Sequence, residues 1–177
     1  MENNYFFEHW DYRLNPEFIE KICSVLQNAP TVGSFSTGAY CQGIRKFDNE
    51  ENGLYFFYFP DDTFYAGVAA SCTLLERLAK HLDGRYYGSF NSVLRKIGKD
   101  PEKSAHYTAN QQFFLEAKML FVPVNNSKLP VPENGFPKDK KALNFLEEDV
   151  IYMLSQQGLK LRNSRIPKGY SGYFYKD

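Results

Sequence analysis

Two hydrophobic patterns alternate along this chain: stripes that recur every three to four residues, and short runs that are apolar almost without a break. The first stripe lies in NPEFIEKICSVLQNAP, where Phe18, Ile22, Val25 and Leu26 share one side. Asn15 supplies an N-cap and Pro16 a first-turn proline, so the spacing predicts a helix from Pro16 to about Gln27. In TLLERLAKHLDG, Leu74, Leu78 and Leu82 form a second stripe. Thr73 and Glu76 read as a capping box ahead of it, and Asp83-Gly84 as its end. SFNSVLRKIG predicts a short helix with Phe90, Leu94 and Ile97 inward and Gly98 as its stop, and YTANQQFFLEA reads as helical. The longest stripe is in KALNFLEEDVIYMLSQQG, with Leu143, Leu146, Val150, Met153 and Leu154 on one side.

The unbroken runs are GLYFFYF, TFYAGVA and KMLFVPV. The first two are rich in strand formers and flank Pro60-Asp61-Asp62, which predicts a hairpin. The third reads as a buried strand. TVGSFSTGAYCQG has no clear period and reads as a loop with a short strand, and NNSKLPVPENGFPK as a loop. Few strands with helices between them predict an α/β fold.

Composition narrows this picture. The chain has 177 residues, enough for one domain with a sizeable core, and aromatics make up 17% of it. It holds no run of 18 apolar residues, and MENNYFFEHWDYR is too acidic and aromatic for a signal peptide. The expected compartment is the cytoplasm. Cys23, Cys41 and Cys72 are odd in number and widely spaced, so buried free thiols are expected. His9, His81 and His106 have no metal-ligand spacing. Formal charge is zero, but unevenly laid out: residues 1–60 carry 4 basic and 8 acidic groups, residues 61–177 carry 17 and 13. The last 19 residues, LKLRNSRIPKGYSGYFYKD, hold five basic groups against one acid, which marks a candidate nucleic-acid surface.

The order of short motifs then matters more than any one of them. Gly53-Leu54-Tyr55, Tyr65-Ala66-Gly67 and, on the next helix, Arg77 and His81 follow one another. This order resembles the GIY-YIG nuclease family, in which two such strands form a hairpin and the next helix carries the Arg. DGRYYGSFNSVLRKIG is similar to the family's second helical region, and LFVPV to its third strand. Leu146-Glu147-Glu148-Asp149-Val150-Ile151 is similar to the helix bearing the metal-binding Glu. The chain departs from the pattern at Val68, where Lys or Ser often follows the second motif. Another departure is Asn163, later than the family's Asn. Glu116 and Glu148 stand as alternatives to Glu147.

The resemblance implies a small, mostly antiparallel three-stranded sheet flanked by helices. An N-terminal helical extension (1–45) would precede a nuclease-like domain (46–177) with a basic, aromatic tail. It implies catalytic roles for Tyr55, Tyr65, Arg77, His81 and Glu147, with Glu147 holding Mg²⁺ or Mn²⁺. The implied partner is DNA, most readily double-stranded, with RNA an open alternative, no membrane, and a homodimer as one allowed assembly. The economy of the chain resembles the family's compact restriction enzymes.

The chemistry can also be argued without the family. Phosphodiester hydrolysis needs stabilisation of added negative charge and help for the leaving oxygen. One carboxylate can hold a divalent cation for both, and an Arg donates to phosphate oxygens at any pH. Arg77 and His81, at i and i+4, share a helix face. Taken singly, these residues read as a solvated helix face, a strand-end Tyr as core, and Glu147 and Glu148 as surface charge. Arg95 and Lys96, and Lys160, Arg162, Asn163, Arg165 and Lys168, are the expected DNA contacts. The competing expectations are a non-catalytic nucleic-acid-binding or protein-interaction module on the same fold, and a tail in which GYSGYFYKD packs as an extra strand on the sheet.

Overall fold

The computed structural model describes residues 14–34, 52–82, 93, 104–124, 129, 131–135 and 142–174, with backbone alone for 104–109. Helix α1 spans Pro16–Asn28, strand β1 Gly53–Tyr58, strand β2 Thr63–Ala69 and helix α2 Leu74–Leu82. Helix α3 spans Ser104–Glu116, strand β3 Lys118–Pro123, helix α4 Ala142–Gln156 and strand β4 Lys160–Leu161. The sheet has four strands in the order β3-β1-β2-β4. β1 lies antiparallel to both β2 and β3, as expected, and β4 adds a parallel pairing to β2. The expected three-stranded sheet is therefore corrected to a mixed, four-stranded one. A two-residue strand has no readable period, and its pairing depends on where α4 delivers the chain.

The strands read as continuous apolar runs because both faces of the sheet are covered. Successive side chains alternate between faces. Leu54, Phe56, Ala66, Val68, Leu120 and Val122 join α1 and α4 in one core. Tyr55, Phe57, Phe59, Tyr65, Met119 and Phe121 join Leu74 and Leu78 of α2 and Phe114 of α3 in the other. The described part of the N-terminal extension belongs to the first core through Leu14, Phe18, Ile19, Ile22 and Leu26. It is also tied to β3, where Val32 donates to the Ala117 carbonyl at 2.8 Å and Met119 to that of Pro30 at 3.1 Å.

Most of the predicted helices appear with small shifts. Asn15 caps α1 through a 2.9 Å bond from Phe18 N–H to Oδ1. Thr73 caps α2, accepting from Glu76 N–H at 3.1 Å, while the Glu76 carboxylate pairs with Lys80 at 2.6 Å. On α2 the buried positions are Leu74, Leu78 and His81, with Leu82 half-buried. Of the predicted 89–98 helix, Val93 alone is described, and it is helical and buried. Arg95, Lys96, Cys41, the helix end at Asp83-Gly84 and most of the 31–43 loop lie outside the described residues. Cys23 and Cys72 are free but half-buried rather than buried. Among the described residues, no helix is long and apolar enough to cross a membrane.

Candidate active site

Two glycines explain why the hairpin motifs pair as they do. Tyr55 on β1 lies directly across from Gly67 on β2. Its ring and hydroxyl pass over Gly67 so closely that a Cβ there would meet them at under 3.0 Å. Gly53 is hemmed in likewise, by the Val122 carbonyl and the Phe121 ring. Gly67→Ala is expected to displace the Tyr55 ring and cost about 1–3 kcal/mol. The check is a urea titration of both chains; equal midpoints would show that the ring adapts without loss.

Under that ring a network of donors converges. Tyr55 is fully buried, with its oxygen 2.8 Å from His81 Nε2 and 3.2 Å from Arg77 Nε. Val93 N–H donates to His81 Nδ1 at 3.2 Å. A neutral imidazole that accepts at Nδ1 carries its proton on Nε2, so His81 donates to Tyr55. The Tyr65 hydroxyl is a further hydrogen-bond partner of Tyr55, and the two rings lie 6.1 Å apart. With both lone pairs of the Tyr55 oxygen engaged by fixed donors, its own proton points to Tyr65. Helical i,i+4 spacing places Arg77 and His81 on one side of α2, and it is the buried side for His81.

Burial pushes the Tyr55 phenol up to about 12, against the pull of the Arg77 guanidinium. Tyr65 is also held well above the usual phenol value, by burial first and then by the negative fields of Tyr55 and Glu147. A phenol whose folded value exceeds its unfolded value keeps its proton longer in the fold, so unfolding releases protons above about pH 10. Stability is expected to fall between about pH 10 and 12, with Tyr55 contributing about 2–3 kcal/mol of that loss. Denaturant titrations of the wild type and Tyr55→Phe across that range test it; parallel curves would remove Tyr55 as the source.

The site opens at the β2 edge. β4 pairs with Thr63 and Phe64 only, and Arg162 N–H closes the pairing on the Phe64 carbonyl at 2.7 Å. The next residue, Asn163, then uses its carboxamide as a strand residue would use its peptide group. Oδ1 accepts from Ala66 N–H at 3.1 Å, and Nδ2 donates to the Ala66 carbonyl at 2.7 Å. From there the chain leaves the sheet, and a cleft of about 700 Å³ opens beside β2. Tyr65 from β2, Arg77 from α2 and Glu147 and Glu148 from α4 line it. The opposite wall is the segment from Asn163 to Ser171, which includes Arg165 and Lys168.

That wall is anchored by a residue that sequence reasoning missed. Asp149, fully buried on α4, accepts from both the backbone N–H and the hydroxyl of Ser171, the latter at 2.7 Å. Burial pushes its carboxyl up, while the Ser171 donors and the Phe174 backbone pull it down. Its position three residues after Leu146 and four before Met153 puts it on the apolar stripe. The run Glu147-Glu148-Asp149 hides this by reading as surface charge. The tail aromatics pack on the same helix: Tyr170 meets Tyr152 edge-on at 4.7 Å, Tyr173 meets Phe145 at 4.6 Å, and Phe174 is buried.

The structure therefore gathers Tyr65, Arg77 and Glu147 around one cleft, with Tyr55 and His81 directly beneath. Glu116 is exposed, accepts from Gln112 at 2.9 Å and does not line that cleft. Among the expected DNA contacts, Arg165 and Lys168 are exposed on the cleft wall and Lys160 is exposed on β4. Arg162 is engaged inside the chain: it pairs with Asp61 and lies over the Phe59 and Phe113 rings at 5.1 and 5.5 Å. Asn163 is likewise engaged with Ala66. Both hold β4 and its exit in place, which is a structural use of side chains whose chemistry also suits base reading.

Among the described residues, no three His, Cys, Asp or Glu side chains cluster as a metal cage. A single carboxylate such as Glu147 on an open cleft suits Mg²⁺ or Mn²⁺, which keep several waters and take substrate phosphates as ligands. Comparison of the chain with protein-family models, curated proteins and solved structures gave no significant match.

Proposed function

We propose that this chain is a divalent-metal-dependent endonuclease that hydrolyses phosphodiester bonds of double-stranded DNA. The observation that carries the reading is the convergence of Tyr65, Arg77 and Glu147, from three separate elements, on one cleft walled by Arg165 and Lys168. Glu147 holds the cation, which when bound polarises the phosphate and stabilises the leaving oxygen. The Arg77 guanidinium lies on the cleft wall, where its remaining N–H groups meet the phosphate, while Nε donates to Tyr55. Tyr65 faces the cleft, where its hydroxyl positions the attacking water, which releases its proton to solvent as the bond to phosphorus forms. Arg77 and His81 donate to the Tyr55 oxygen, and Tyr55, held in its protonated form by burial, donates to Tyr65 and so orients the hydroxyl that meets the water.

Supercoiled plasmid with Mg²⁺ or Mn²⁺ tests the proposal. The wild type is expected to nick or linearise it, and Glu147→Gln to leave it intact while keeping the wild-type melting temperature. Cleavage that survives Glu147→Gln would remove this carboxylate from the site. The depth and raised value of Tyr55 favour one other reading, a binding module without catalysis. In that case DNA binds the wild type, and no divalent cation yields a cut. A type II restriction role would appear as cleavage confined to one short sequence.

A further inference from the structure

The cleft wall between Asn163 and Ser171 is fixed at both ends and bare in the middle. Asn163 is bonded twice to Ala66, and Ser171 twice to Asp149. Between them, Ser164, Arg165 and Ile166 are exposed, as are Lys168 and Gly169. Ile166 is 47% exposed and, with Val131, is one of two large hydrophobic side chains so placed among the described residues. Val131 does not line the cleft; Ile166 does. Pro167 follows Ile166, which restrains the Ile166 backbone to an extended form and limits how far this side chain can fold back. Arg165 and Lys168 flank the pair. A branched apolar side chain between two cations, held out on a braced loop, matches the chemistry by which proteins unstack a base step while gripping phosphates.

We infer that Ile166, with Pro167 behind it, is a wedge that enters a base step of bound duplex DNA beside the cleaved phosphate. This inference rests on the nuclease reading and adds a mechanical role to it. Arg165 and Lys168 hold the phosphates on either side, and the two anchors keep the wall from yielding when the step resists. The wedge separates stacked bases, kinks the duplex by about 20–90°, and turns the strand toward Arg77 and Glu147. Steps that unstack easily, such as TA and CA, are then favoured without any base-edge hydrogen bond from this loop.

The experiment uses short duplexes selected from a randomised pool by the full-length wild-type chain, held with Ca²⁺. They carry fluorophores at both ends and 2-aminopurine at successive steps. The wild type is expected to shorten the end-to-end distance and to brighten 2-aminopurine at one step. Ile166→Ala is expected to lose both effects while keeping the wild-type salt dependence, because it removes no phosphate contact, and Ile166→Leu to restore them. Arg165→Ala or Lys168→Ala should instead weaken binding and flatten the salt dependence by about one counterion each. Ile166→Ala that bends and brightens the duplex like the wild type overturns the wedge. So does a wild type that binds, with the expected salt slope, but leaves the duplex straight and stacked; the nuclease reading survives either result. A wild type that selects no duplex from the pool overturns both.

Discussion

Arg77→Ala is expected to slow plasmid cleavage by about 10²–10³-fold and leave the fold intact. Two losses combine in that figure. The guanidinium on the cleft wall is a fixed positive charge where the phosphate gains negative charge, and it costs no reorganisation at the moment of reaction. Its Nε also donates to Tyr55 at 3.2 Å, so its removal takes away one of the two donors that fix the Tyr55 hydroxyl and, through it, Tyr65. Arg77→Lys should recover little, because an ammonium cannot address both the phenol and the phosphate as the fork does. The fold survives because Arg77 is only half-buried while Leu74, Leu78 and His81 supply the buried contacts of α2. Single-turnover cleavage together with a melting curve is the measurement. An Arg77→Ala protein that cuts at the wild-type rate would take this residue out of the reaction.

Removing residues 164–177 is expected to leave the chain largely unfolded. The deletion strips Ser171 from Asp149, and losing hydrogen bonds to a charged carboxylate costs about 1.5–3 kcal/mol. It also removes the buried Phe174, worth about 1.5–3 kcal/mol, and exposes the rings of Phe145 and Tyr152. Whole domains are stable by only about 5–15 kcal/mol, so these losses consume most of the margin. Asp149→Ala should reproduce part of the effect, about 2–4 kcal/mol, by leaving the Ser171 donors unpaired. Arg165→Ala/Lys168→Ala should leave the melting temperature unchanged, since both side chains are exposed. A truncated chain that melts like the wild type would show that the tail is an appendage and that Asp149 is satisfied without it. Among its described residues the tail therefore divides its work: Tyr170, Ser171, Tyr173 and Phe174 pack on α4 rather than as an extra strand of the sheet, and Arg165 and Lys168 stand on the cleft wall.

A good deal of this molecule is legible before any coordinates. The stripe through Leu143, Leu146, Val150, Met153 and Leu154 is buried on α4, because a helix repeats every 3.6 residues and brings these positions to one side; Phe145 and Ile151 are buried beside it. The two aromatic runs around Pro60-Asp61-Asp62 are paired strands, because branched and aromatic side chains fit a sheet covered on both faces. The motif order singled out Tyr55, Tyr65, Arg77, His81 and Glu147, and these residues do gather in one region. Each sits at a position set by local rules, the register of a hairpin or the turn of a helix.

What the sequence left open depends on how distant segments meet. The helical period sets Asp149 on the apolar stripe apart from Glu147 and Glu148, but not what would satisfy its carboxylate there; it serves as a buried anchor because Ser171, 22 residues on, folds back to donate to it. Arg162 and Asn163 have side chains suited to DNA, yet the arrival of β4 beside β2 sets them against Asp61 and Ala66 instead. His81 takes the buried place predicted for Leu82, because the Tyr55 oxygen and the Val93 N–H satisfy both ring nitrogens. The glycines at 53 and 67 could be counted in the sequence, but the space that demands them is made by a neighbouring strand. Periodicity and turn chemistry are properties of neighbouring residues, so the sequence by itself determined the longer helices and the three apolar strands and most of their inward positions, while the two-residue β4 and the burial of His81 in place of Leu82 came from the fold. Whether a polar side chain reaches solvent, substrate or a backbone partner is set by contacts across the fold, and only the tertiary structure decided it.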